Sequence, residues 1–369
     1  ATLTTMSETR MKVMTIVGTR PEIIRLSRIM QVLDKVTHHV TVHTGQNYDY
    51  ELNGVFYRDL GLRKPDHYLD AAAESAAETI AQIIARADRV LEAERPEAVL
   101  VLGDTNSCLA AIPAKRRKIP IFHMEAGNRC FDMRVPEEIN RRIVDHIADI
   151  NLTYSEHARR HLLGEGFPGD RVIKTGSPLK EVFDHYSRAI EASDVHARLQ
   201  LKEQRYFVVS LHREENVDEP SHLANLVEAL GRIGEEYGFP MIFSVHPRTR
   251  RRLDTMGFSL HPLVQAMPPL GFLDYNALQK RAFCVISDSG SITEESAILG
   301  FPAITPREAH ERPEGMDEGV VIMSGLEPRR ILQAIELTRT QFEIHGPARL
   351  PSDYDVPNVS WKVAKVVLS

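Results

Sequence analysis

Short apolar runs with β propensity alternate along this chain with longer segments of helical periodicity. In the first half, the runs predict strands at about residues 12–17, 39–43, 98–102, 119–124 and 149–153. Residues 78–92, which lie between two of these strands, place Ile80, Ile83, Ile84 and Leu91 on one helical face. Such an alternation indicates a parallel sheet that is covered by helices on both faces.

A second alternating set follows a polar stretch at residues 186–204. Its strands are predicted at about residues 206–211, 241–245, 284–287, 303–305 and 320–323. Because 369 residues are too many for one ordinary core, we predict an α/β chain of two doubly wound Rossmann-like domains.

The predicted domains span residues 11–184 and 205–355, and a C-terminal helix at 356–369 could pack on either domain. Residues 1–10 are expected to be a disordered leader or an expression remnant, since they lack the apolar middle of a signal peptide.

Composition excludes several classes of function. The formal net charge of −6 gives no broad basic surface for nucleic acid. No apolar run reaches the roughly 18 residues of a membrane span. The chain has only three cysteines and no CxxC pair, which favours a reducing compartment. We therefore expect a cytoplasmic protein with no nucleic-acid or membrane partner.

The sequence also argues against a cofactor. Residues 164–169 match G-x-G-x-x-G but follow a helix-like stretch and contain Pro168, whereas the dinucleotide fingerprint follows a strand. We read this segment as a helix end and a turn. The histidines lack the spacing of zinc motifs. We expect neither nicotinamide nor metal.

Polar clusters follow six of the predicted strands. In a doubly wound sheet, ligands bind outside the carboxyl ends of the strands. We therefore expect the clusters to line one crevice that is rich in arginine, histidine and carboxylates and suits a phosphorylated ligand. They lie at residues 18–22, 103–105, 123–127, 210–214, 244–247 and 287–290.

The first domain carries the candidate acid and base groups. Asp104 and Glu125 end neighbouring strands, where one can act as an acid and the other as a base, although Asp104 alone could be a helix N-cap. Glu137 and Arg141 lie four residues apart on a predicted helix, and alone they could be a solvated ion pair. Arg20 is unexpected at a helix N-terminus unless it binds an anion.

The second domain carries candidate anion contacts. His212 and His246 both follow strands, and at least one is expected to face a pyrophosphate. The segment 287–295 combines small residues with two glutamates at a helix start, which predicts an anion nest beside a group that binds sugar hydroxyls. Plain helix capping would also account for this segment.

Taken in order, these clusters resemble the non-hydrolysing UDP-N-acetylglucosamine 2-epimerase family, which has the two-domain GT-B arrangement with both domains facing a central cleft. The resemblance runs from about residue 12 to the C-terminus. The motifs that carry it are Gly18-Thr-Arg-Pro-Glu22, Thr44-Gly-Gln46, Gly103-Asp-Thr105, Glu125-Ala-Gly127, Pro136-Glu-Glu-Ile-Asn-Arg141, His212-Arg213, His246-Pro247, Asp288-Ser-Gly290, Glu294-Glu295 and Glu311-Arg-Pro-Glu314.

The resemblance implies roles for particular residues and an isomerase without a cofactor. The catalytic group would be Asp104, Glu125, Glu137, Arg141 and His212. The substrate-binding group would be Arg20, Arg25, His246, Tyr275, Ser289, Gly290, Glu295 and Arg312, with the Tyr275 ring stacked on uracil. We expect a homodimer that acts on a UDP-sugar in the synthesis of bacterial surface polysaccharide precursors.

Some positions depart from the family pattern. Arg25 replaces a usual lysine, Ser291 replaces a usual glycine, and Ala309-His310 replaces Thr-Thr. These departures leave open a branch that forms UDP-N-acetyl-L-fucosamine from its 6-deoxy-talose epimer. The motifs are also compatible with a hydrolysing epimerase, a GT-B glycosyltransferase or a nucleotide-sugar-binding regulator.

Overall fold

The computed structural model describes residues 10–46 and 50–369, so the expected leader at 1–10 lies outside the described residues except for Arg10. The chain divides into two compact units. Unit 1 comprises residues 1–184 and 352–369, and unit 2 comprises residues 185–351.

In the described part of unit 1, seven parallel strands form a sheet in the order β3-β2-β1-β4-β5-β6-β7. The strands are β1 (Lys12–Val17), β2 (His38–His43), β3 (His67–Tyr68), β4 (Ala98–Leu102), β5 (Ile121–Met124), β6 (Ile150–Thr153) and β7 (Val172–Lys174). The central strand β4 is Ala-Val-Leu-Val-Leu and is buried at every position, as a strand covered on both faces should be.

Helices cover this sheet and contribute to its core. They are α1 (Arg20–Val36), α2 (Tyr50–Asp59), α3 (Ala76–Glu94), α4 (Ala111–Arg116), α5 (Pro136–Ile147), α6 (Glu156–Gly164) and α7 (Leu179–Glu191), which crosses into unit 2. A 3-10 turn at Asn106–Ala110 follows β4. The helix α3 begins with a capping box between Ser75 and Glu78, which satisfies N–H groups that the first turn leaves open.

In the described part of unit 2, six parallel strands take the order β10-β9-β8-β11-β12-β13. They are β8 (Phe207–Ser210), β9 (Met241–Ser244), β10 (Val264–Met267), β11 (Cys284–Ser287), β12 (Ala303–Thr305) and β13 (Ile322–Met323). The helices are α8 (Val195–Arg198), α9 (Glu214–Val217), α10 (Pro220–Tyr237), α11 (Pro247–Thr255), α12 (Phe272–Lys280), α13 (Ile292–Leu299), α14 (Pro313–Asp317) and α15 (Pro328–His345).

Both sheets therefore follow the strand order 3-2-1-4-5-6, extended by one strand in unit 1. This is the doubly wound order of Rossmann-like folds, and the predicted fold class is confirmed. The order reverses between β1 and β4 in unit 1 and between β8 and β11 in unit 2. Loops after these strands diverge and leave room for a ligand.

The sequence missed the short strands β3, β7 and β10, which have at most four residues each. Their burial is only partial, so no continuous apolar run marks them.

The C-terminal helix α16 (Val359–Val367) belongs to unit 1 and packs against α1. Its Ser360 N–H and hydroxyl donate to the carboxylate of Glu181 on α7. The sequence had left its partner open. Within residues 10–46 and 50–369, no helix is both long and apolar enough to traverse a bilayer.

Candidate active site

Two candidate carboxylates lie at the ends of adjacent strands in unit 1. The strands β4 and β5 pair in parallel, and the N–H of Gly103 donates to the carbonyl oxygen of Met124 at 3.0 Å. Asp104 and Glu125 follow directly. Glu125 has φ of +58°, a conformation that costs a non-glycine residue of order 1 kcal/mol and is concentrated at functional sites.

Arg141 on α5 binds Asp104. Its Nε and Nη2 donate to Asp104 Oδ2 at 3.0 and 2.7 Å. Its Nη1 donates to Glu138 Oε2 at 3.0 Å. One buried guanidinium thus holds two carboxylates in place, and the charge-assisted bonds are of the strong class.

Glu138 is a residue that sequence reasoning missed. Its side chain is fully buried and also accepts from the N–H of Cys130 at 3.0 Å. Burial raises the pKa of Glu138, but the Cys130 N–H and the charge of Arg141 outweigh burial and hold the pKa below its usual value. Glu137, the predicted residue, is half-exposed in the first turn of α5. The helical spacing of Glu138 and Arg141, three residues apart, was the available signal.

A buried ionic network supports both strand ends. The Nδ1 of His123 on β5 lies 2.9 Å from Asp145 Oδ1, and its Nε2 lies 2.7 Å from the carbonyl oxygen of Gly103. Arg129 Nη1 donates to Asp145 Oδ2 at 2.7 Å, and the N–H of Gly127 donates to the same carboxylate. The network therefore fixes residues adjacent to Asp104 and Glu125.

The surroundings of His123 in this network favour its positively charged form. Both of its ring nitrogens face oxygen atoms that can accept a hydrogen bond. Burial opposes this charge, but the hydrogen bond and charge of Asp145 outweigh burial and raise the pKa of His123. Neither His123 nor Asp145 was assigned this supporting role from the sequence.

Two arginines of α1 lie beside the same strand ends. Arg25 Nε is 3.6 Å from Glu125 Oε2, and its guanidinium lies 5.6 Å from the centre of the Tyr154 ring. The Arg20 guanidinium lies 4.6 Å from the centre of the Phe56 ring. The structure thus brings Asp104, Glu125, Arg141 and Arg25 together in unit 1.

In unit 2, the residue at the point where the strand order reverses is Asp288. It is fully buried and accepts from the N–H groups of His212 at 3.0 Å and Arg213 at 3.1 Å. The His212 Nδ1 lies 3.1 Å from Asp288 Oδ1. Burial raises the pKa of Asp288, but His212 and the backbone donors outweigh burial and lower the pKa to about 2.

The turn after Asp288 carries the residues predicted to form a nest, and two of its N–H groups have partners within the turn: Ser289 N–H donates to Ser287 Oγ at 3.1 Å and Ser291 N–H donates to Ser289 Oγ at 3.4 Å. A Cβ on Gly290 would lie 2.5 Å from Glu311 Oε1, so a larger residue would have to displace the Glu311 carboxylate. The hydroxyl of Ser291 donates to Glu295 Oε1 at 2.9 Å, and Gln279 Nε2 donates to Glu295 Oε2 at 3.1 Å. The serine that replaces the usual glycine therefore orients the predicted Glu295. Ser289 lies within 3.0 Å of the Ser291 hydroxyl.

The other predicted contacts lie on neighbouring elements of unit 2. His246 is the N-cap of α11, and its Nδ1 accepts from the N–H of Arg248 at 3.4 Å. The Tyr275 side chain on α12 hydrogen-bonds Ser210 at the end of β8, and burial raises its pKa. Arg312 Nε lies 3.1 Å from Glu294 Oε1.

Arg307 is a second residue that sequence reasoning missed. It lines a pocket with Ser289, Gly290 and Thr305, and it is only 3% exposed. Its Nη1 donates to Glu311 Oε2 at 3.2 Å, whereas its Nε and Nη2 have no hydrogen-bond partner among the described residues. The Nη2 also lies 3.9 Å from Glu215 Oε1, beyond hydrogen-bond distance, so the buried guanidinium can still donate to an oxygen-rich ligand.

The described residues contain no group of three or more His, Cys, Asp or Glu that could hold a metal ion. The carboxylates and cationic side chains described above suit acid–base catalysis and anion binding.

Comparisons with known proteins agree on one family. The family model of UDP-N-acetylglucosamine 2-epimerase matches residues 32–368. The structure of UDP-N-acetylglucosamine 2-epimerase from Rickettsia bellii is 50% identical and superposes with a TM-score of 0.90, covering 97% of this chain and 96% of that one.

Two further relatives extend the comparison. The structure of the Methanocaldococcus jannaschii UDP-GlcNAc 2-epimerase in complex with UDP-GlcNAc and UDP is 32% identical with a TM-score of 0.91, covering 97% of this chain and 99% of that one. The UDP-2,3-diacetamido-2,3-dideoxy-D-glucuronate 2-epimerase of Pseudomonas aeruginosa is 34% identical over 85% of this chain and 88% of its own length.

We predict that Asp145→Asn destabilises the protein by about 3–5 kcal/mol, because it leaves His123 as a buried charge without its carboxylate and leaves Arg129 with Glu165 as its one remaining carboxylate among the described residues. Thermal unfolding followed by circular dichroism measures the effect. Asp170→Asn, at an exposed turn, is the control and should leave the melting temperature unchanged. Equal melting temperatures for the two variants would contradict the supporting role of the network.

Proposed function

This chain belongs to the UDP-N-acetylglucosamine 2-epimerase family, and we propose that it inverts C2 of UDP-N-acetylglucosamine without net hydrolysis. The observation that carries the proposal is the arrangement of Asp104 and Glu125 at adjacent strand ends, with Arg141 on Asp104. The reaction needs an acid and a base near C2, and a clamp for a leaving diphosphate.

The chemistry explains why an epimerase of this kind needs no nicotinamide. The C2 proton of a UDP-2-acetamido sugar is not acidic, so direct abstraction would leave an unstabilised carbanion. Loss of UDP from C1 together with the C2 proton gives a neutral glycal. Return of a proton to the opposite face and of UDP to C1 inverts C2, and it requires groups that carry protons in both directions.

We assign the acid–base work to Asp104, Glu125 and Glu137, supported by Arg141 and His212. We assign UDP binding to Arg20, Arg25, His246, Tyr275, Ser289, Gly290, Glu295 and Arg312, joined by Arg307. Positive side chains and the N–H groups of the nest would stabilise the charge that develops on the departing diphosphate. Glycosyl transfer and pure binding of a nucleotide sugar would leave the carboxylates without a role.

The identity of the sugar is the finer question. Arg25, which replaces the usual lysine, lies 3.6 Å from Glu125, and arginine presents a planar fork where lysine presents one ammonium. This substitution favours a modified sugar such as the 6-deoxy-talose epimer of UDP-N-acetyl-L-fucosamine as the second candidate. The relative from Pseudomonas aeruginosa described above is named as an epimerase of a modified sugar, UDP-2,3-diacetamido-2,3-dideoxy-D-glucuronate.

Incubation with UDP-N-acetylglucosamine in D2O tests the reaction. Deuterium at C2 of the recovered UDP-sugar is expected. Free sugar plus UDP would instead identify a hydrolase, and the absence of exchange with both this substrate and UDP-2-acetamido-2,6-dideoxy-L-talose would overturn the proposal.

We predict that Asp104→Asn, Glu125→Gln and Glu137→Gln each lower kcat by about 10²-fold or more while UDP still binds. Glu156→Gln, on the exposed start of α6, is the matched control.

We predict that Arg307→Gln weakens UDP binding about 10-fold or more, because hydrogen bonds to a charged group contribute about 1.5–3 kcal/mol. Titration calorimetry measures the affinity, and circular dichroism checks that the variant is folded. Arg329→Gln, whose side chain is 81% exposed, should bind UDP as the wild type does. An unchanged Kd in a folded Arg307 variant would remove Arg307 from the site.

We also propose that the enzyme is a cytoplasmic homodimer. Free thiols at Cys108, Cys130 and Cys284 suit a reducing compartment.

Ile139 and Ile143 on α5 are exposed, four residues apart on one face, and support self-association. Sedimentation velocity should give twice the 41.7 kDa chain mass, and Ile143→Glu should release monomers. A monomeric wild type would contradict the proposal.

A further inference from the structure

A carboxyl group that the proposed mechanism does not use lies at the reversal point of the first sheet. Glu22, in the first turn of α1, is only 2% exposed. Its Oε2 accepts from the N–H of Gly18 at 3.1 Å and from the hydroxyl of Thr19 at 2.7 Å. Glu22 thus closes the loop between β1 and α1, which also carries Arg20.

The same carboxyl reaches the loop after β4. Thr105 Oγ1 lies 3.2 Å from Glu22 Oε2, and Ser107 Oγ lies 2.5 Å from Glu22 Oε1. The two hydroxyls are 2.6 Å from each other. Since Asp104 directly precedes Thr105, the Glu22 carboxyl joins the loop of Arg20 to the loop of Asp104.

A count of protons shows what this cluster requires. Four oxygen–oxygen contacts join Glu22, Thr19, Thr105 and Ser107, but the three hydroxyls supply only one proton each. If Glu22 is ionised, one of the four contacts therefore brings two oxygen atoms together with no proton between them. A proton on Glu22 Oε2 supplies the missing bond to Thr105, and Thr105 then donates to Ser107.

The surroundings of Glu22 favour the uncharged acid. Titratable side chains that interact with Glu22 include Tyr57 from α2 and Cys108 from the 3-10 turn, and both are neutral near pH 7. Burial raises the pKa of Glu22 to about 7, although the hydrogen bonds from Ser107, Thr19, Thr105 and Gly18 oppose the rise.

We propose that Glu22 is a positioning residue that is held as the neutral carboxylic acid and whose ionisation loosens the loop that carries Asp104. The expected effect of Glu22 on kcat rests on the proposed function, whereas its expected effect on the stability of the fold does not.

The sign of the pH dependence follows from linkage. The folded protein holds the Glu22 proton up to about pH 7, whereas a free glutamate releases it at about 4.5. The stability that Glu22 contributes is therefore greatest below about pH 4.5 and is lost as the pH rises to about 7. The kcat should decrease over the upper part of the same range.

Glu22→Gln is the decisive variant because it keeps the shape and cannot ionise. An amide nitrogen at the Oε1 position donates to Ser107, Ser107 donates to Thr105, and Thr105 donates to the amide oxygen, so all contacts are filled. We expect a higher melting temperature than the wild type at about pH 8, a smaller fall in melting temperature between about pH 5 and 8, and a kcat that no longer decreases near pH 7. Glu235→Gln, an exposed residue on α10, is the control.

Glu22→Ala separates this role from simple packing, since it removes both the bulk and the bonds and should lower the melting temperature at every pH. A wild type and a Glu22→Gln variant with the same pH dependence of the melting temperature would overturn the inference, whatever reaction the enzyme catalyses. Infrared spectroscopy at about pH 6 should show a protonated carboxyl band that Glu22→Gln lacks, and its presence in both proteins would equally contradict the inference.

Discussion

In each unit, one buried carboxyl group joins the two loops at the point where the strand order of the sheet reverses, and the loops that carry the candidate site residues are held by this contact. Doubly wound sheets splay apart at this point, and the loops need a connection that the strand ladders do not provide. In unit 1, Glu22 forms hydrogen bonds with hydroxyl groups from both loops. In unit 2, Asp288 accepts hydrogen bonds from backbone N–H groups. The donors differ in kind, and the charge of the carboxyl differs with them.

That difference is electrostatic. Asp288 faces His212 and several N–H dipoles, so the ionised form is stabilised despite complete burial. Glu22 contacts three hydroxyls and one N–H, and desolvation prevails. A buried carboxylate survives only where charge or dipoles replace water. The same topology thus holds one permanently charged group and one group that can change its charge near neutral pH.

Around the proposed catalytic carboxylates, rigidity comes from ionic contacts that are themselves buried. Arg141 holds Asp104, and the His123, Asp145 and Arg129 network fixes the flanking backbone. Such networks are costly when incomplete, and here each member has partners on more than one element. The strained backbone at Glu125 persists because these surroundings determine it.

The sequence by itself determined the α/β class, the long central strands and the loops that carry Asp104, Glu125, His212 and Ser289, because apolar runs and strand-end polar clusters are local signals. It missed the short edge strands such as β3, which have no continuous apolar run. Only the tertiary structure decided which side chains meet. The contacts of Arg141 with Asp104, of Glu22 with Ser107 and of His123 with Asp145 join residues 37, 85 and 22 positions apart. Such pairings depend on burial and on strand order, which spacing along one chain does not encode.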